Sequence, residues 1–231
     1  MTSFRRWYFF VVSLISLQAV TWAAIALLRN LLVPALIPGD LVDTAEVERV
    51  AFQISVILVG LPLYLFHWRR ANRETAAGEA SVERTLYLYL MLALLLFPIL
   101  ANANGFLQAA LHRAAGVRAP DTLLTPVSQD NETLLNTAIA LLVLGVMFFF
   151  HLSLLQGDRR AGGWEYAAAA LHRVLIFLFS AAGLFITSTA AAGLIRWLIL
   201  AWQRDATFRV SNQLLDNMSA LLIGLALWLV F

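Results

Sequence analysis

The sequence predicts an all-α, polytopic membrane protein: a bundle of six transmembrane helices arranged as three hairpin repeats, in a single integral membrane domain over 1–231. Three observations carry this expectation. Of the 231 residues, 61% are hydrophobic and only 13% charged, against about 25% charged in an ordinary soluble domain, which leaves too little charge to cover a solvated surface. Charge-free apolar runs recur along the chain near the ~20 residues a helix needs to cross a hydrocarbon layer of about 30 Å. Within those runs, stretches such as Leu86 to Phe97 are apolar on every face, whereas a membrane strand alternates apolar and polar positions.

The first run, Trp7–Leu28, follows Arg5-Arg6 and stops at Arg29. A cleavable export signal has an apolar core of about 7–15 residues; this one is longer, which predicts an uncleaved first span. The second, Val50–Trp68, ends on the basic group Arg69, Arg70 and Arg73, and the third is Thr85–His112. The fourth and fifth are Thr133–Gly157 and Val174–Ile195. The sixth, Asn217–Phe231, is short and reaches full length only from Val210, with Asp216 at headgroup level, so a truncated last unit or a longer parent protein is an open expectation. Pro62 and Pro98 fall inside two spans and predict kinks, which neighbouring helices tolerate by satisfying the freed carbonyls. The connections 29–49, 113–132 and 196–209 carry Pro34, Pro38-Gly39-Asp40, Pro120 and Pro126 as turn formers.

Orientation follows from arginine, the only basic type among the 16 Lys and Arg positions. With the N-terminus inside, nine arginines lie on the inner side and seven on the outer, so the positive-inside rule favours that orientation and puts both termini inside. Trp and Tyr near the span ends, such as Trp7, Tyr64, Trp68 and Tyr87, suit the headgroup zone. A net charge of +2 gives no electrostatic footprint for nucleic acid, and the lack of cysteine excludes a disulfide scaffold.

Comparing odd and even spans suggests a hairpin written three times, over 1–70, 80–157 and 165–231. The odd spans open with Arg5, Arg84 and Arg173, the first two continuing as Arg-x-x-Tyr; the even spans carry Gly60 before Tyr64, Gly145 before Phe149 and Gly224 before Trp228. Such repeats would be parallel, unlike the inverted repeats of many transporters. Gly183, Thr187 and Ala191, flanked by Ser180, Ser188, Thr189 and Gly193, make the fifth span the expected central helix, because small residues let membrane helices approach closely.

The stretch Gly60-Leu-Pro-Leu-Tyr-Leu-Phe-His-Trp-Arg-Arg70, followed by Glu83-Arg84-Thr-Leu-Tyr-Leu-Tyr89, resembles a bacterial membrane family known only as domain of unknown function 5671. The likeness is clearest over 50–100, extends over 1–112, and fades at Gly145-Val-Met-Phe-Phe-Phe-His-Leu152, which lacks the proline and the Trp-Arg ending. It implies a polytopic helical protein and brings no activity or catalytic residues with it; the location expected for such a chain is a bacterial inner membrane.

Ionisable groups in mid-span usually mark membrane catalysts and transporters, yet every Asp, Glu and Arg falls at or beyond a span end. This pattern argues against proton-coupled transport and intramembrane hydrolysis, and no HExxH helix, cysteine cluster, phosphate loop or nucleophile elbow occurs. Two sets of residues remain as candidate sites. His67 and His151 end the second and fourth spans on one side, where two imidazoles can ligate a b-type haem; the plainer reading makes both amphipathic boundary residues. Asn102, Asn104 and Gln108 follow Pro98 and can line a cavity for a small uncharged solute, or else bond neighbouring helices. The basic group at Arg69 to Arg73 reads as a topology anchor on anionic headgroups. The resulting expectation is a non-enzymatic structural or accessory membrane component in contact with lipid and with other membrane subunits, with a solute carrier or channel and a haem-binding electron carrier as its rivals.

Overall fold

In the computed structural model the described residues, 3–37, 44–74, 82–116, 126–160, 166–203 and 211–230, are helical almost throughout. The helices are α1 (Ser3–Leu36), α2 (Thr44–Glu74), α3 (Val82–Ala115), α4 (Pro126–Arg160), α5 (Tyr166–Gln203) and α6 (Asn212–Val230). Five of them, α1 to α5, are long and apolar enough to cross a membrane; α6 has 19 residues. Helices α1 and α3, with 34 residues each, are ~51 Å long at 1.5 Å per residue. They outrun the ~30 Å hydrocarbon layer, so the apolar runs mark only the middle of each helix, and the backbone bonding continues into the flanking charged residues.

Proline placement differs from the expected turns. Pro34 lies inside α1, whose last bond runs from the Ile37 amide to the Val33 carbonyl at 2.9 Å. The apolar segment around it carries the helix past the one amide that proline removes. Pro126 is the first residue of α4, where a helix leaves its amides unpaired in any case. Pro38 and Pro120 lie outside the described residues.

Two compact units are formed: Met1–Ile99 with Ile139–His172, and Leu100–Ala138 with Arg173–Phe231. Their limits cut α3 and α4 in mid-helix rather than between hairpins.

In the first unit α1 and α2 pack as an antiparallel pair. The buried face of α2 is Gln53, Gly60, Tyr64, His67 and Ala71, a spacing of three, four and seven that keeps one stripe of the helix inward. At Gly60 the helices come so close that a Cβ would lie 2.8 Å from Val20 Cγ2. The Asn30 amide donates to Gln53 Oε1 at 3.3 Å and ties the same pair. The start of α3 is enclosed, with Tyr87, Leu88, Met91 and Leu95 buried while Leu90, Leu94 and Phe97 form an exposed strip. Leu17, Ile25, Tyr64, Met91, Leu95, Ala140 and Leu144 make the core. The buried hydroxyls of Ser13 and Thr21 are satisfied within α1, donating to the Phe9 and Leu17 carbonyls at 2.8 Å, so these two add no unpaired polar group.

In the second unit α5 and α6 meet through the small residues that the sequence singled out. A Cβ on Gly183 would lie 2.6 Å from the Trp228 nitrogen, and one on Gly224 would lie 2.7 Å from the Thr187 nitrogen. The close approach is real, yet α5 is not a central helix. Only 11% of its most apolar stretch is buried, against 39% for α1 and for α3. One narrow stripe, Gly183 with Ala190, is buried, while Phe177, Leu178, Leu184 and Phe185 are exposed.

Candidate functional site

The polar groups of the first unit concentrate where the end of α2, the start of α3 and the end of α4 converge. Asp158 follows the apolar run of α4 and Arg84 precedes that of α3, so two antiparallel neighbours carry opposite charges to one level. Arg84 Nε donates to Asp158 Oδ2 at 2.7 Å and Arg84 Nη2 to Asp158 Oδ1 at 3.0 Å, a two-pronged pairing that fixes both planes. Arg84 also donates to Asn72 Oδ1. Asn72 in turn is held by donating to the Trp68 carbonyl at 2.8 Å. The guanidinium stands 5.8 Å from the Trp68 ring centroid, within reach of a cation–π attraction. One arginine thus fastens three helices.

Below this lies a ladder of rings. Tyr64 stacks on Trp68 at 6.1 Å, Trp68 meets Tyr87 at 5.1 Å, Phe10 meets Tyr87 at 5.3 Å, and Tyr87 meets His151 at 6.2 Å. His151 is fully buried and its Nδ1 is 2.7 Å from the Met147 carbonyl one turn earlier. A carbonyl can only accept, so that contact puts a proton on Nδ1, and in the neutral imidazole Nε2 then carries the lone pair. His151 Nε2 is buried without a hydrogen-bond partner in the chain, whereas the hydroxyls of Tyr64 and Tyr87 face each other. A buried polar atom left unsatisfied in this way is rare inside proteins.

His67 follows the same local rule, with Nδ1 2.8 Å from the Leu63 carbonyl. Both histidines thus direct Nε2, the nitrogen an axial haem ligand uses, away from their own helix. Their ring neighbours differ: Tyr8, Phe9 and Phe66 surround His67, and Tyr87 and Phe150 surround His151. Among the described residues no group of three or more His, Cys, Asp or Glu gathers as a metal site.

In the second unit Asn102, Asn104 and Gln108 are each half-buried. The buried Ser219 of α6 donates to Asn104 Oδ1 at 3.0 Å, and His112 Nε2 lies 3.4 Å from Asp216 Oδ1. Asn104 joins helices, and the sequence does not reveal its partner, because a serine in an apolar run carries no sign of what it faces. Arg84 was singled out in sequence as the opening of a repeat, whereas Asp158, 74 positions away, bore no local mark of the pairing.

A protein-family model described as domain of unknown function (DUF5671) matches residues 6–146. The matched part includes Tyr64, His67, Arg84 and Tyr87, and stops short of His151 and Asp158. No curated protein and no solved structure matches the chain.

Proposed function

The chain belongs to this DUF5671 family, and on that premise we propose that it is a structural or accessory component of a bacterial inner membrane, without an enzymatic activity of its own. That it is a multi-pass membrane protein rests on five long apolar helices; the finer reading takes six spans in three hairpins, with both termini cytoplasmic. One observation carries the accessory role. The two-pronged pairing of Arg84 with Asp158, joined by Asn72, ties helix ends together, and among the described residues no Asp, Glu or Arg stands in mid-span to move a proton or a substrate. Its geometry is that of a clamp. A carrier for a small uncharged solute would need the carboxamides near Pro98 to face a wet cavity, and the bond from Ser219 to Asn104 engages one of them as a link between helices.

The absence of cysteine makes the topology directly testable by single-cysteine labelling with a membrane-impermeant maleimide. Arg73→Cys and Arg160→Cys should label only after permeabilisation, and Ala115→Cys and Asp130→Cys in intact cells. The reverse pattern would overturn the orientation, and equal labelling of all four in intact cells would overturn the membrane placement.

A further inference from the structure

Two openings lie one after the other along the α1–α2 seam of the first unit. The first, about 790 Å³, is bounded by Arg5, Tyr8, Phe66, His67, Arg69 and Arg73, among others. No carboxylate occurs among the described residues that line it, and Arg5 is itself held over the Phe9 ring at 5.6 Å. The second, about 500 Å³, is walled by Val12, Ile15, Val56, Val59 and Leu63.

Small residues make the seam concave there. Ser16, Ala19, Ser55 and Gly60 line the second opening, and at Gly60 even a methyl group would meet Val20. The two serines do not make it polar: Ser16 donates to the Val12 carbonyl at 2.6 Å and Ser55 to the Ala51 carbonyl at 2.8 Å, so each hydroxyl is satisfied by its own helix. Along α1 the lining residues run Arg5, Tyr8, Phe9 and then Val12, Ile15, Ser16 and Ala19, one face at three- and four-residue steps. The seam therefore passes from cationic to apolar along the helix axis. Its apolar part, Ser55 to Leu63 on α2, rises ~12 Å, close to the ~15 Å depth of one leaflet.

An occupant must match both ends at once: an anion at headgroup level and a chain running down into the hydrocarbon. We propose that the α1–α2 seam is a binding groove for one anionic phospholipid, its phosphate at Arg69 and Arg73 and an acyl chain along the channel floored by Ser16 and Gly60. The basic end supplies charge complementarity, and the apolar end excludes a free anion as the full ligand. The groove rests on the membrane placement proposed above, and is independent of orientation and of the accessory role.

The test is native mass spectrometry of the full chain in detergent. It is titrated with phosphatidylglycerol, with phosphatidylethanolamine of the same acyl chains, and with glycerol phosphate. Phosphatidylglycerol should be retained preferentially. Arg69→Gln with Arg73→Gln should lower its affinity by about thirty-fold, on the order of five-fold per arginine, and leave phosphatidylethanolamine unchanged. Ala19→Phe, at an exposed position of the channel, should weaken phosphatidylglycerol retention with both arginines in place. Equal retention of the two lipids by the unaltered chain, or an affinity unmoved by both changes, would overturn the proposal. Glycerol phosphate binding as tightly as the lipid would also overturn it, since the acyl channel would then contribute nothing. Melting curves without added lipid check folding, and Ala19→Phe decides alone if the arginine variant does not fold. Failure of the membrane placement itself would instead appear in the cysteine-labelling pattern.

Discussion

Replacing Arg84 by alanine tests the clamp at the convergence of α2, α3 and α4. The change removes both bonds to Asp158, the bond to Asn72 and the stacking on Trp68. Exposed ion pairs contribute about 0.2–1 kcal/mol, while removing one partner of a buried pair costs about 3–5 kcal/mol. With side chains 18% and 21% exposed, this pair sits between the two, nearer the buried case because its bonding is two-pronged. We expect Arg84→Ala to destabilise by roughly 2–3 kcal/mol, of which ~0.5–1 comes from the Trp68 ring. For a chain of this size that lowers the melting temperature by about 5–10 °C. Asp158→Ala should do somewhat less, since Arg84 keeps Asn72 and Trp68. Arg84→Lys should fall between, because a point charge cannot reproduce the fork. The decisive measurement is the double-mutant cycle in detergent, with an expected coupling of about 1–2 kcal/mol. If the two alanine changes simply add, to within ~0.5 kcal/mol, the pairing is incidental and the clamp is refuted.

Two further outcomes follow from the packing. Gly183→Leu should lower the melting temperature markedly, since overpacking costs about 1–3 kcal/mol and even its Cβ would lie 2.6 Å from the Trp228 backbone. Gly145→Leu, where nothing lies within 4 Å, should leave the melt unchanged; equal effects would show that α5 meets lipid at Gly183. Asn104→Ala and Ser219→Ala should each lower stability by about 0.6 kcal/mol and the pair by no more than one of them, as read from melts of the three variants; additive losses would mean that the two side chains do not bond.

The helices, five of them long and apolar enough to cross a membrane, could be read because backbone satisfaction in a membrane leaves long apolar runs one structure to form. What covers each face could not be read in the same way. Lipid tails and neighbouring side chains are both apolar, so the pattern of Leu, Ala and Phe along α5 does not separate a buried stripe from an exposed one. Small residues at Gly183 and Thr187 did mark a close contact correctly, but a single contact stripe does not make a helix central. In α2, by contrast, Gln53, Gly60, Tyr64 and His67 differ from their apolar surroundings, and these positions do mark the inward face. Pro34 misled because a proline close to a helix end forfeits only one amide bond, and α1 runs just two residues past it. The candidate site was half visible: His151 was named from its place at a span end, but its burial against Tyr87 and the pairing of Arg84 with Asp158 depend on contacts 64 and 74 positions apart.

The first compact unit draws on two separate lengths of chain, Met1–Ile99 and Ile139–His172. Its interior includes Ala140 and Leu144 from the later length beside Leu17 and Met91 from the earlier. During synthesis, α1, α2 and the start of α3 therefore enter the membrane well before the surface that completes them has been made. For that interval the hairpin must persist on its own seam, held by Gly60 against Val20 and by the carboxamide bond from Asn30 to Gln53. A nascent chain arrested before residue 139 would leave Tyr64, Met91 and Leu95 facing lipid, so ribosome stalling at successive lengths would reveal when the ring ladder closes.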